Sequence, residues 1–174
     1  VFGMHQREDD TIFSEVPLKA YKRIQTSKNF FLILGGSKNY SDQAKKLNLK
    51  NFKQLPSSAD SKIIGKFLNT LDVYTHGRKH GETMGLVLTE AMSYGLPIIS
   101  HRAESNAQVE VIGNAGRVFY KRNIFSYSGE MKRLENNSEY YNLKSKNSLD
   151  RFNSFYSLSY ILDKYDRIIK EVKL

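Results

Sequence analysis

The feature that most narrows the folds open to this chain is a series of short apolar runs, each bounded by glycine or proline and separated from the next by room for a helix. Residues 30–34 (FFLIL) end at Gly35-Gly36, residues 51–55 stop at Pro56, residues 71–75 stop before Gly77, residues 96–100 follow Gly95, and residues 116–120 follow Ala115. Runs this short and apolar read as strands buried on both faces, the pattern of a parallel sheet joined by helical crossovers. Residues 1–3 are the expected end of one more strand. Between the runs, Ile12, Val16, Ala20 and Ile24 share one helical face, as do Ile63, Ile64, Phe67 and Leu68. The expected fold class is therefore α/β, a doubly wound parallel sheet.

After Tyr120 no strand pattern recurs, and helical segments follow at roughly 124–135, 138–153 and 158–172, a helical C-terminal extension. In the last, Leu158, Ile161, Leu162, Tyr165, Ile168, Ile169 and Val172 form one stripe, expected to lie buried against the domain surface. Tyr140, Tyr141, Phe152, Phe155, Tyr156 and Tyr160 are expected to pack these helices together rather than to form a stacking platform.

A length of 174 residues suits one domain, expected to span 1–174. The net charge of +9 is spread along the chain with no interleaved basic and aromatic motif, which argues against a nucleic-acid partner. There is no cysteine, hence no disulfide framework or thiolate metal site. With a mean hydropathy of -0.52 and no long apolar run, no membrane span is expected. The chain starts at Val1 with neither an initiator Met nor a leader-like segment, so it reads as part of a longer protein whose upstream half is absent.

The chemistry concentrates in residues 81–100, GETMGLVLTEAMSYGLPIIS, where a glycine-bearing loop opens a helix that feeds a buried strand. Thr83 is the expected cap and Gly95 the left-handed terminus. The first turn of a helix leaves amides without internal partners and concentrates positive partial charge, so the amides near Met84, Gly85 and Leu86 suit a phosphate. Glu82 and Glu90 bracket that turn, the second about two turns inside the helix and on the order of 10 Å away. That is too far to share a proton, but suited to an elongated ligand with hydroxyls at both ends of a diphosphate.

On these residues the sequence resembles the family 4 (group 1) retaining glycosyltransferases, whose E-x7-E motif is matched by Glu82 and Glu90. Glu82-Thr83-Met84-Gly85 stands where that family commonly has E-G-F-G, and Leu86 to Met92 followed by Gly95-Leu96-Pro97-Ile98 is similar to its continuation. The resemblance extends more weakly from a Gly3 turn to the C-terminal helices. It implies the Rossmann-like C-terminal donor domain of a GT-B enzyme, binding a UDP- or GDP-sugar, less readily an ADP-sugar, and transferring a hexosyl group with retention and no required metal.

The resemblance further implies that Glu82, the catalytic candidate, contacts hydroxyls of the donor sugar and Glu90 the ribose, while the backbone of Thr83, Met84, Gly85 and Leu86 serves the sugar and diphosphate. Gln54 and Leu55 would border the nucleobase. The acceptor, a glycan or lipid, would bind through the missing N-terminal domain, so the isolated domain would be inactive. The implied setting is surface-polysaccharide assembly in the cytoplasm, with peripheral contact at the inner face of the membrane.

The sequence departs from the family's pattern in its first loop. A G-R-x-x-x-x-K spacing counted from Gly3 puts Met4 at the arginine and Asp9 at the lysine, leaving Arg7 as the nearest substitute. Arg78-Lys79 stand in place of Pro-Ser and Asn106-Ala107 in place of Gly-Gly, so Arg7, or Arg78 with Lys79, are the candidate diphosphate partners. His76 and His80 are four apart, but Gly77 and Gly81 interrupt any helix that would pair them on zinc. His5 and His101 read as polar residues near strand ends, at the sheet edge that borders a ligand crevice. Gly35-Gly36 reads as a tight turn, with no Walker lysine after it. The competing readings are a non-catalytic nucleotide-sugar-binding scaffold and a sugar epimerase of the same fold.

Overall fold

The computed structural model describes residues 1–120 and 123–172. In chain order the elements are β1 (Phe2–Gln6), α1 (Val16–Ile24), β2 (Phe31–Gly35), α2 (Asn39–Lys46), β3 (Phe52–Leu55), α3 (Ser61–Leu68), β4 (Val73–Thr75) and β5 (Gly81–Glu82). They continue as α4 (Leu86–Ser93), β6 (Ile98–His101), β7 (Ser105–Asn106), α5 (Ala107–Ile112), β8 (Gly116–Phe119), α6 (Ile124–Asn136), α7 (Ser138–Phe155) and α8 (Leu158–Val172).

Six strands form one parallel sheet in the order β3-β2-β1-β4-β6-β8, flanked by helices in a doubly wound arrangement. The order reverses between β1 and β4, and in such sheets the crevice outside the carboxyl ends of those two strands is where ligands are received. The apolar runs form the strands because both faces are covered: Phe31, Ile33, Ile98 and Ile99 are all buried. Val16, Ala20 and Ile24 are buried on α1 as predicted, but Ile12, also buried, lies in a separate 3-10 turn of residues 10–12 and not on that helix, and Ile63 on α3 is exposed while Phe67 and Leu68 go inside.

Several expectations need correction. β1 runs on to Gln6 and is wholly buried, so Gly3 is a mid-strand residue and not a turn. A Cβ at Gly3 would stand 2.5 Å from the Leu32 carbonyl oxygen and 2.7 Å from a Leu71 methyl, which accounts for the glycine by close strand packing. The first loop therefore opens after Gln6, and a spacing counted from Gly3 does not index it. A second, two-stranded parallel ribbon pairs β5 with β7, Gly81 with Ser105 and Glu82 with Asn106, too short to leave a periodic signal.

The C-terminal helices wrap the sheet: α6 packs on α1, and α7 packs on α4 and on the turn before β8. Tyr140, Tyr141, Phe152 and Tyr156 pack against the core as expected, while Phe155 is half exposed. The apolar stripe of α8 is not buried. None of its residues is, because the helix leaves the body after Ser157 and packs chiefly on α7, through contacts such as the edge-to-face pair of Phe155 and Tyr160. A chain ended after Ser157 is thus expected to melt within about 3 °C of the full chain, since a surface loss of this kind costs within roughly 0.5–1 kcal/mol. A larger drop in a thermal melt would mean that α8 supports the core. Among the described residues no helix is long and apolar enough to cross a membrane.

Candidate functional site

The tip of α4 is built differently from a side-chain cap. Gly85 is the N-cap, left-handed at φ 74°, no side chain caps the helix, and Thr83 lies exposed in the preceding loop. Because α4 opens at Leu86, Glu90 lies about one turn inside it rather than two. Met84 and Leu86 are both exposed beside the tip. Leu88 N–H donates to the Gly85 carbonyl at 2.9 Å, and the remaining first-turn N–H groups, with the positive end of the helix dipole, favour a bound negative charge at this tip.

Glu82, on the β5–β7 ribbon, is only 4% exposed and both its oxygens are engaged. Oε1 accepts from His76 Nε2 at 3.0 Å and Oε2 from Arg78 Nη1 at 2.6 Å. Its backbone N–H donates to Gln108 Oε1 at 3.1 Å, and Gln108 Nε2 in turn donates to the His101 carbonyl at 3.0 Å. His76 is fixed from behind, with Nδ1 2.7 Å from Ser100 Oγ and its carbonyl 3.0 Å from the Tyr127 hydroxyl. Burial alone pushes the Glu82 carboxyl up, but the hydrogen bond and charge of His76 and the charge and hydrogen bond of Arg78 outweigh it and hold the group below its ordinary value. Glu82 is therefore an anion at neutral pH. Arg78 keeps a buried Nε with no hydrogen-bond partner.

Glu90 stands apart from this cluster, with its side chain 47% exposed and its Oε2 2.7 Å from His5 Nε2. It lines a groove of about 360 Å³ together with His5, Arg7, Ser57, Ile64 and Val87. Glu82 is not on the wall of that groove, so the two acids of the motif do not share it. Arg7 does share it, but is 71% exposed and pairs with Asp9 at 2.8 Å.

Gln54 and Leu55 line a neighbouring groove of about 490 Å³ with Gly36, Ser37 and Lys38, and Glu8 borders both grooves. The Gln54 amide is not free to read a base. Its Nε2 donates to the carbonyls of Gly35, Gly36 and Ser37 at 2.8–3.1 Å, and its Oε1 accepts from Ser41. It ties down the left-handed Gly35-Gly36 turn. His76 and His80 part company, the latter pairing with Glu104 at 2.8 Å, and among the described residues no group of three candidate ligands is placed to hold a metal.

Ser100, Gln108, Tyr74 and Tyr127 are the site residues that sequence reasoning missed, while His5 and His76 were noticed without their carboxylate partners. For Tyr74 and Ser100 the one signal was position, polar side chains within otherwise apolar strand runs, whereas Gln108 on α5 and Tyr127 on α6 left no such signal.

The family model described as glycosyl transferases group 1 matches residues 15–151. A search of curated proteins returns no match. Among solved structures, Anabaena HepE in complex with UDP and glucose is 16% identical, with a TM-score of 0.81 over 97% of this chain and 47% of its own. TarM of S. aureus is 18% identical, with a TM-score of 0.77 over 95% of this chain and 34% of its own. The C-terminal domain of the group 1 protein LpcC of Francisella tularensis, 18% identical, gives 0.76 over 90% of this chain and 86% of its own. This chain thus spans less than half of HepE and most of the isolated LpcC domain, and shares their Rossmann-like fold. With the match covering most of its length, the chain belongs to the group 1 glycosyl transferases.

Proposed function

We propose that this chain is the donor-binding domain of a retaining GT-B hexosyltransferase and holds a nucleoside diphosphate sugar across the mouth between β1, β4 and the tip of α4. The observation that carries this reading is the opening of α4 at a left-handed glycine, with an anionic Glu82 just before it and a groove-lining Glu90 one turn within. The UDP held by HepE supports a UDP-sugar as the donor, with a GDP-sugar as the next choice.

In this reading the diphosphate rests on the amides of Met84 to Leu86, Glu90 receives the ribose hydroxyls, and Leu55 borders the base. Arg78 is the better diphosphate cation, because Glu82 steadies it from one side, whereas Arg7 pairs with Asp9 on an exposed loop. A carboxylate offers about four acceptor positions, so Glu82 retains capacity for sugar hydroxyls beyond the two bonds it makes. No residue here attacks the sugar. The domain acts by positioning the donor and stabilising charge on the departing diphosphate, without a metal, and the acceptor glycan or lipid binds through the partner domain of the parent protein at the cytoplasmic face of the membrane.

Calorimetry of the chain with UDP, GDP and ADP tests the site. Saturable binding of UDP or GDP is expected, weakened about tenfold or more by Glu90→Ala, the cost of losing hydrogen bonds to a charged acceptor. Silence from all three nucleotides would make the chain a scaffold that has lost its ligand, a reading that the first loop's missing lysine would then favour.

A further inference from the structure

We infer, on the donor-site reading above, that His5 is a positioning residue for Glu90, aiming that carboxylate at the ribose hydroxyls of the bound nucleotide. Glu90 is half exposed on a helix, where a long flexible carboxylate ordinarily samples many rotamers. Here Oε2 is held 2.7 Å from His5 Nε2, while Oε1 has no hydrogen-bond partner among the described residues. The carboxylate is thus fixed by one oxygen and open by the other, on the wall of the groove.

His5 is itself fixed. It sits near the carboxyl end of central strand β1, buried, with its ring edge-to-face on Tyr74 at 5.6 Å. The Tyr74 hydroxyl lies 3.3 Å from His5 Nδ1, 3.1 Å from its carbonyl, and accepts from its N–H at 3.4 Å. Complete burial pushes the Tyr74 phenol far above its ordinary value, so the group stays protonated and serves as a donor. A carboxylate only accepts, so the 2.7 Å contact requires hydrogen on Nε2. The chain of order therefore runs from Tyr74 in the core through His5 to Glu90 in the groove. The His5 bond also takes up one Glu90 oxygen and leaves the other for a hydroxyl donor.

The probes are UDP, GDP and their 2′,3′-dideoxy forms, measured by calorimetry on the whole chain. His5→Leu should weaken the better ribonucleotide about tenfold and shift its dideoxy form by less than twofold, while His5→Gln, which restores an N–H near Nε2, should recover most of the loss. Nitrogen-15 NMR of the unsubstituted chain should show His5 carrying hydrogen on Nε2, a readout that survives even if a variant misfolds. Equal losses for ribo and dideoxy forms, no rescue by glutamine, or a neutral Nδ1–H tautomer would each overturn the role of His5. If Glu90→Ala weakens the ribonucleotide and His5→Leu does not, His5 alone is dismissed. If neither nucleotide binds, or Glu90→Ala changes nothing, the donor-site reading falls and the inference with it.

Discussion

Glu82→Ala is expected to cost about 3 kcal/mol of stability, a fall in Tm of roughly 6–12 °C for a chain of this size, although the residue was singled out for function. Its carboxylate is the shared acceptor of His76 and Arg78, and removing it leaves a partly buried guanidinium, with one nitrogen already unpartnered, facing an empty space. Glu82→Gln keeps the shape but sets an NH2 donor against either the imidazole or the guanidinium, so an intermediate loss is expected.

The pH dependence follows from the sign of the shift. The folded-state value is held below the ordinary 4.5, so the unfolded chain binds the proton more readily. The stabilisation is then complete above the unfolded value and is lost as the pH falls through the lower folded one. Denaturation curves of the chain and of Glu82→Gln should lie a constant distance apart above about pH 5 and converge below about pH 4 as far as this group is concerned. Curves that stay parallel into acid would show that the carboxylate is not held as an anion. In a complete two-domain parent, Glu82→Gln should lower sugar transfer more than nucleotide affinity, and equal losses would contradict its assignment to the sugar.

What the sequence made legible was whatever is periodic or local. The strands showed because burial on both faces demands unbroken apolar runs, and residues 81–100 showed because loop, helix and strand follow one another without interruption. What stayed hidden depends on contacts distant in the chain. Nothing in the spacing of His5 and Glu90 pairs them, since they lie 85 positions apart and only the β1-β4 switch point brings them together. His76 and Arg78 read as loop residues because the β5–β7 ribbon that turns Glu82 back onto them is two residues long. The α8 stripe misled for the opposite reason: an apolar face predicts burial without saying against what, and its packing on α7 leaves none of its residues buried. Gln54 does lie at the end of a strand run, but its amide serves the Gly35-Gly36 turn, a local demand that strand patterning does not reveal.

Gly81→Ala should be as damaging as the loss of Glu82 itself, by a purely backbone route. Gly81 is left-handed at φ 76°, where a side chain costs roughly 1–2 kcal/mol before any contact is considered. A Cβ there would also press on the Ser105 carbonyl, lying 2.9 Å from its carbon and 3.2 Å from the Ala103 Cβ. Ser105 is the residue paired with Gly81 across the ribbon and cannot swing aside as a side chain would. The ribbon must open, and opening it moves Glu82, the next residue, off His76 and Arg78. The combined cost is expected to be about 3 kcal/mol or more. Gly129, in the middle of α6 and exposed with nothing within 4 Å of a built Cβ, supplies the contrast: alanine there should stabilise by roughly 0.5–1 kcal/mol. Thermal melts of the two variants should therefore move in opposite directions from the parent chain. A Gly81→Ala melt within a degree or two of the parent would mean that the ribbon yields without cost, and that Glu82 is held by its side-chain partners alone.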